Sequence, residues 1–238
     1  YGIDGLITSH ITDNNGDGKV NGDDKVWLFF VYRRGGNSYY AMDITDPSNP
    51  EVMWTIEGGS GNFVELGQTW SQPKVIFSQL NVSGTSAKPT LIFGGGYDTA
   101  KDSRDIGGQA GVDSKGKAIF MVDAETGALI WSLSASGDTN FSGNDSIPSS
   151  IASLDSDGDG YTDRLYAGDT GGNLWRVDMP GSDKSKFSVF KLASLGNASE
   201  TSATHNNDRR FFSEPDIVRA YITETIDTGM VDDGGKAI

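Results

Sequence analysis

Apolar and aromatic residues come along this chain in short bursts bounded by Gly, Asn, Asp and Pro. The bursts occupy residues 26–32, 38–44, 89–93, 117–122, 128–133, 164–167 and 173–177, and each is the length of a β-strand. No window of about a dozen residues sustains a 3.6-residue apolar period between breakers. The pattern therefore predicts an all-β chain in which helix is minor.

Three stretches repeat one another: SYYAMDITDPSNPEVMWTI from Ser38, KAIFMVDAETGALIWSL from Lys117 and GNLWRVDMPGSDKSKFSVFKL from Gly172. Each is an apolar strand closing on an aspartate (Asp43, Asp123, Asp178), then a turn, then a strand with a large aromatic (Trp54, Trp131, and Phe187 or Phe190). Before each lies a strand that ends in glycines, in VWLFFVYRRGG, TLIFGGGYD and RLYAGDTGG. A repeated strand unit that cannot bury its faces alone is what a β-propeller presents, its four-stranded antiparallel blades covering one another. The expected fold is all-β and β-propeller-like, a single propeller fragment over residues 1–238 with insertions near 57–72 and 98–115. At about 40 to 50 residues per blade the chain holds roughly four to five blades. That is fewer than most closed rings, so a modified, incomplete or embedded ring is expected.

With 238 residues the chain can build a hydrophobic core without disulfide or metal staples. Its formal net charge of −14 repels nucleic acid and anionic membranes and makes cations the natural partners. The absence of cysteine removes disulfides, thiolate metal sites and cysteine nucleophiles. No apolar run approaches the ~20 residues of a membrane helix, and no charged and apolar leader opens the chain. Because it begins at Tyr1 rather than Met, it is expected to be part of a longer protein.

Residues 13–24 read DNNGDGKVNGDD. They place Asp13, Asn15, Asp17, Lys19, Asn21 and Asp24 at positions one, three, five, seven, nine and twelve of an EF-hand-type loop, with Gly18 at the sharp turn. Lys19 would give its backbone carbonyl and the others their side-chain oxygens, an all-oxygen cage suited to a hard divalent cation. Position twelve is Asp rather than the customary Glu, as in dockerin-like loops. Residues 155–163, DSDGDGYTD, offer Asp155, Asp157, Asp159, the carbonyl of Tyr161 and Asp163 around Gly160. Four carboxylates crowded within about 4 to 6 Å repel one another unless a cation neutralises them. A plain polar turn also favours Asp, Asn and Gly, but one or two of them suffice for it. Strand-like flanks at Ile11, Val26, Ile151, Leu154 and Leu165 predict that both loops bridge strands. Calcium (Ca2+) is the expected ion, because magnesium dehydrates reluctantly and seldom takes an all-protein cage.

No catalytic constellation is legible, and the chain is expected not to be an enzyme. GVDSKGK at residues 111–117 has Ala118 where a phosphate-binding loop needs Ser or Thr. The glycine run at 94–96 lacks dinucleotide spacing and implies close strand packing or a bend. His10 and His205 have no metalloprotease context, which leaves them surface or hydrogen-bonding roles. There is no serine elbow. Trp27, Trp54, Trp70, Trp131 and Trp175 are expected in blade cores.

Six segments suggest a family: YYAMDITDP from Tyr39, TWSQPKV from Thr69, LIFGGGYD from Leu91, VDAETGALIW from Val122, LDSDGDGYTDRLYAGDTGGNLWRVDM from Leu154 and FFSEPDIV from Phe211. In order along most of the chain they resemble the C-terminal propeller of the PilY/PilC-type pilus factors. The resemblance implies a modified β-propeller with a calcium site at Asp155, Asp157, Asp159, Tyr161 and Asp163. It also implies an extracellular, non-enzymatic protein at the type IV pilus tip or cell surface of a Gram-negative bacterium. Implied roles are pilus biogenesis, calcium control of extension against retraction, and surface adhesion. Implied partners are minor pilins or other tip subunits and a host or abiotic surface ligand. The loop at Asp13 is less typical of that family and rests on spacing alone. A weaker resemblance, in Asp123, Thr126, Gly127 and Trp131, is to the tryptophan-docking repeats of quinoprotein dehydrogenases. It keeps open a pyrroloquinoline-quinone-dependent oxidoreductase, and a calcium-dependent carbohydrate-binding surface module is a third reading.

Overall fold

The computed structural model describes residues 2–103, 113–196 and 209–218. Among these residues thirteen strands form three sheets in chain order. The first holds β1 (Ile7–Thr12), β2 (Lys25–Val31), β3 (Ser38–Asp43) and β4 (Glu51–Glu57). The second holds β5 (Lys74–Ser83), β6 (Ser86–Gly94), β7 (Ile119–Asp123) and β8 (Leu129–Ser134). Two further residues, β9 (Thr139–Asn140), extend it parallel to β8. The third holds β10 (Ala152–Leu154), β11 (Arg164–Gly168), β12 (Asn173–Asp178) and β13 (Ser188–Ser194). Consecutive strands are neighbours in every sheet, which is the meander of a propeller blade. Among the described residues helix is confined to four short 3-10 segments, as the breaker-rich sequence predicts.

All seven predicted strands are present, and the three repeats fall on the third and fourth strands of the three sheets. The expectation of four to five blades is corrected, since the described residues form three. Among the described residues, long connections at 58–73 and 141–151 take up part of the remaining length.

Alternation along the middle sheet sends neighbouring side chains to opposite partners. Leu91, Phe93, Phe120 and Val122 share a core with Trp27, Phe29, Val31, Tyr39 and Trp54 of the first sheet. Ile92, Ile119, Met121, Trp131 and Leu133 share another with Leu165, Ala167, Trp175 and Val177 of the third. Because the middle sheet is covered on both faces, β7 is buried along its whole length and reads as an apolar run, IFMV, closing on Asp123. The first sheet is covered on one face only, so β2 alternates between buried and half-buried residues from Val26 to Val31.

The repeated aspartates are turn caps. Asp43 accepts the N–H of Thr45 at 2.8 Å, and Asp123 accepts the N–H groups of Glu125 and Thr126 at 3.1 and 2.9 Å. These close the turn between third and fourth strands. Asp178 departs from the pattern and pairs with Arg176 at 2.9 Å. One of the positions shared with quinoprotein repeats, Gly127, lies at the boundary between two sheets. The indole of Trp54 lies over Gly127 of the next sheet and donates from Nε1 to the Ala124 carbonyl at 3.0 Å. Gly127 has φ +72, and a Cβ there would stand 2.9 Å from the indole. Close packing also explains the glycine run, where a Cβ on Gly94 would stand 2.4 Å from the Ile147 carbonyl.

Four tryptophans, Trp27, Trp54, Trp131 and Trp175, are buried as expected. Trp70 departs: it is half-buried beneath the Arg33 guanidinium, 4.4 Å from its ring, and against Tyr97 and Phe212. Phe212 belongs to residues 209–218, which run as a strap across the molecule. The Phe211 N–H donates to the Asp169 carbonyl of the third sheet, Arg210 reaches the Tyr97 hydroxyl after β6, and Glu214 pairs with Lys74 of β5. His10 is half-buried, 5.8 Å from its cross-strand partner Trp27, and its Nε2 has no hydrogen-bond partner among the described residues. His205 lies outside the described residues.

The seating of Trp54 on Gly127 is directly testable. Gly127→Ala should cost about 1–3 kcal/mol through strain and overpacking, read as a lower urea midpoint at unchanged slope. An unchanged midpoint would show that the indole is not seated there.

Candidate metal centre

Both acidic loops are the same connection, from the first to the second strand of a sheet. Residues 13–24 join β1 to β2 and residues 155–163 join β10 to β11, so both bridge strands as predicted. In the middle sheet the equivalent β5–β6 connection is a tight turn at residues 84–85.

In the longer-range geometry of the second loop, Asp155, Asp157 and Asp159 bring side-chain oxygens within 4.8 Å of one another, a group that could hold a metal ion. Local backbone shape creates this convergence. Gly158 and Gly160 have φ of +83 and +90, a region that costs glycine little, and they turn their N–H groups inward. Asp155 accepts from Gly158 at 2.6 Å and from Gly160 at 2.9 Å, while Asp159 accepts from the Tyr161 N–H at 2.8 Å.

Residues 13–19 repeat this pattern bond for bond. Asp13 accepts from Gly16 at 2.7 Å and Gly18 at 2.9 Å, and Asp17 accepts from the Lys19 N–H at 2.8 Å. Asn15 donates to Asn21 Oδ1 at 3.0 Å, and the Asn21 amide donates to Asp17 at 2.9 Å. Asp13, Asn15, Asp17 and Asn21 therefore form one connected set.

The closing acids stand apart as clamps at the base of each loop. Asp24, 2% exposed, accepts the N–H groups of Asn14 and Asn21 at 2.7 and 3.0 Å. Asp163 accepts the N–H and hydroxyl of Ser156 at 3.1 and 2.5 Å. Each thus takes the N–H of the second loop residue, although Asp163 reaches it from a shorter loop. A carboxylate has about four lone-pair sites, so neither clamp exhausts its oxygens.

These hydrogen bonds favour the charged carboxylates. The N–H groups of Gly160 and Gly158 hold Asp155 below the usual aspartate range, and the Asn21 amide with the Lys19 N–H does the same for Asp17. Asp155 and Asp17 are thus both biased toward the charged form. The loop rim is solvent-exposed at Asp157 and Asp159.

Two groups escaped the sequence reading. Gln79 of β5 donates from Nε2 to Asp159 Oδ2 at 3.0 Å across the sheet boundary, and nothing in its local sequence links it to residues 155–163. Lys101, Asp113 and Asp145 form a buried set, with Nζ 2.7 Å from Asp145 and 3.5 Å from Asp113. Burial pushes the Asp113 carboxyl up, and its Oδ2 accepts from the Ser146 N–H at 2.7 Å and Thr170 Oγ1 at 2.9 Å. That set already contains its own cation, and it fastens the 95–118 insertion to the third sheet.

Stacked four-stranded meanders, with an acidic hairpin loop able to hold an ion, define an all-β protein of the propeller class. The model of the PilY1 beta-propeller domain matches residues 1–226, and the chain belongs to that family. It is 30% identical over 169 residues to the type IV pilus biogenesis factor PilY1 of Pseudomonas aeruginosa strain PAO1, covering 70% of this chain and 12% of that protein. It is 31% identical over 173 residues to a PilY1 homolog of Xylella fastidiosa strain Temecula1, covering 68% and 10%. The match thus spans about a tenth of the length of these curated relatives. The crystal structure of the Pseudomonas aeruginosa PilY1 C-terminal domain superposes with a TM-score of 0.61 at 25% identity, over 91% of this chain and 41% of that one.

The electrostatics of the ion-free loop give a measurable sign. A depressed carboxylate contributes stability that is present above its unfolded value and lost as pH falls through its folded one. In EDTA the Gly158 and Gly160 amide shifts should therefore titrate with a midpoint below the 3.8 of an ordinary aspartate. A midpoint at or above 3.8 would mean that Asp155 does not hold those N–H groups.

Proposed function

We propose that this chain is the calcium-binding propeller domain of a type IV pilus factor, displayed at the pilus tip or cell surface and acting without catalysis of its own. The observation that carries the reading is the convergence of Asp155, Asp157 and Asp159 on a glycine-turned loop, in a chain of the PilY1 propeller family. Calcium suits the donors, which are all oxygen, and the exposed rim leaves room for water in its flexible coordination shell. Asp155, Asp157, Asp159, the Tyr161 carbonyl and Asp163 would hold one ion. Asp13, Asn15, Asp17, the Lys19 carbonyl, Asn21 and Asp24 would hold a second, supported by the matching hydrogen bonds of residues 13–19.

When bound, calcium supplies the positive charge that lets three neighbouring carboxylates share one face of a loop. The chain's own residues do the rest: the glycines turn the N–H groups inward, and Asp24 and Asp163 clamp the loop base. Fixing these loops is the means by which calcium would bias pilus extension against retraction, or expose a surface to minor pilins, other tip subunits or an adhesion ligand. Loops that bind at about 10⁻⁴ to 10⁻³ M act as extracellular staples, and tighter ones respond to changing calcium.

Calorimetric titration of calcium into EDTA-stripped protein should resolve two sites, one lost in Asp159→Ala and the other in Asp17→Ala. At a hundredfold excess over the dissociation constant each site should add about 2.7 kcal/mol to folding stability. Absence of calcium-specific heat, with melting unaffected by EDTA, would reduce both loops to polar turns.

A further inference from the structure

The loop of residues 155–163 is anchored on two sheets. Its own strands belong to the third, but the Thr162 N–H donates to the Phe77 carbonyl of β5 at 2.8 Å, and Gln79 of the same strand donates to Asp159 Oδ2 at 3.0 Å. Local chemistry leaves β5 able to make both contacts. Phe77 stands opposite Pro89, which has no N–H to give. The pairing with β6 then shifts register between Phe77 and Val82, and the bulge re-aims the side chains it contains. Gln79 lies in that bulge. A recess of about 300 Å³ opens between Gln79, Asp157, Asp159, Tyr161 and Gly181.

The Gln79 amide is uncharged, so it orients Asp159 without neutralising it. With Oδ1 on the Tyr161 N–H and Oδ2 on Gln79, the Asp159 carboxylate is held in one orientation before any ion arrives. Partners of this kind tune an ion site strongly because they remove the cost of ordering the ligand.

We propose that Gln79 is a positioning residue for the ion held by Asp155, Asp157 and Asp159, and that the site is a clasp joining the second sheet to the third. This rests on the calcium reading above and deepens it. Linkage is reciprocal: tightening β5 against the third sheet raises ion affinity, and the ion in turn holds the two sheets together. The loop at residues 13–24 shows no such contact among the described residues, its hydrogen bonds staying within the loop and the β1–β2 pair. Of the two loops, the one at 155–163 is the one whose occupancy is felt beyond its own blade.

The experiment is calcium titration of the whole 238-residue chain and its Gln79→Ala and Gln79→Met variants, followed by amide hydrogen exchange with calcium and with EDTA. Calcium affinity at the 155–163 site should fall about tenfold in both variants, while the site at 13–24 is unchanged. Calcium should also slow exchange in residues 74–83 of the wild type, and not in Asp159→Ala. Methionine matches glutamine in length, so it carries the test if the alanine variant does not fold. Wild-type binding with unchanged affinity in the Gln79 variants, or calcium protection confined to residues 155–163, overturns the clasp and leaves the calcium reading standing. A wild type that binds no calcium at this loop overturns both.

Discussion

A four-stranded sheet cannot bury either of its faces against itself, and the architecture follows from that constraint. Tyr39 and Phe93 stack across the first boundary with ring centroids 3.9 Å apart, and Ile119, Met121 and Trp131 fill the second. Burying each such side chain stabilises by about 1.5 to 3 kcal/mol, so the middle sheet, covered on both faces, anchors the other two. The polar features are fitted to these boundaries. The Trp54 indole finds its acceptor on the neighbouring sheet, and the buried Lys101 meets Asp145 beyond the insertion that carries it. The acidic loop of the third sheet leans on β5 of the second.

Much of this fold was legible because its signals are local. Strand length, the repeated strand-turn-strand unit and the turn aspartates Asp43 and Asp123 depend on residues close in sequence, and all appeared where the pattern placed them. Blade number was not legible, because arithmetic on chain length assumes economical connections and this chain spends residues such as 58–73 and 141–151 on long ones. Asp178 closes its strand as Asp43 and Asp123 do, yet its carboxylate pairs with Arg176 two residues away. Trp70 looked like its fellow indoles, but two arginines and a distant phenylalanine decide its surroundings.

The candidate site divides in the same way. Alternating oxygens and a glycine at the sharp turn are written within a few residues, so the trio at 155–159 and its counterpart at 13–17 emerged from spacing. The closing acids were harder, because Asp24 and Asp163 occupy different numbered positions while clamping the same N–H. Gln79 was invisible to sequence, since its relation to Asp159 exists only once two sheets have met and a proline has silenced one rung of the β5–β6 ladder.

The strap of residues 209–218 draws its hold from all three sheets' surroundings at once. It touches Asp169 in the third sheet, Tyr97 and Lys74 in the second, and Trp70 in the connection from the first. No one of these elements presents the whole of its seat, so the seat comes into being only when they have docked. Contacts this far apart in sequence reward the chain only after most of its loop entropy has been lost. The strap is thus a composite fastening, and loosening any one of the three neighbours would cost it part of its hold.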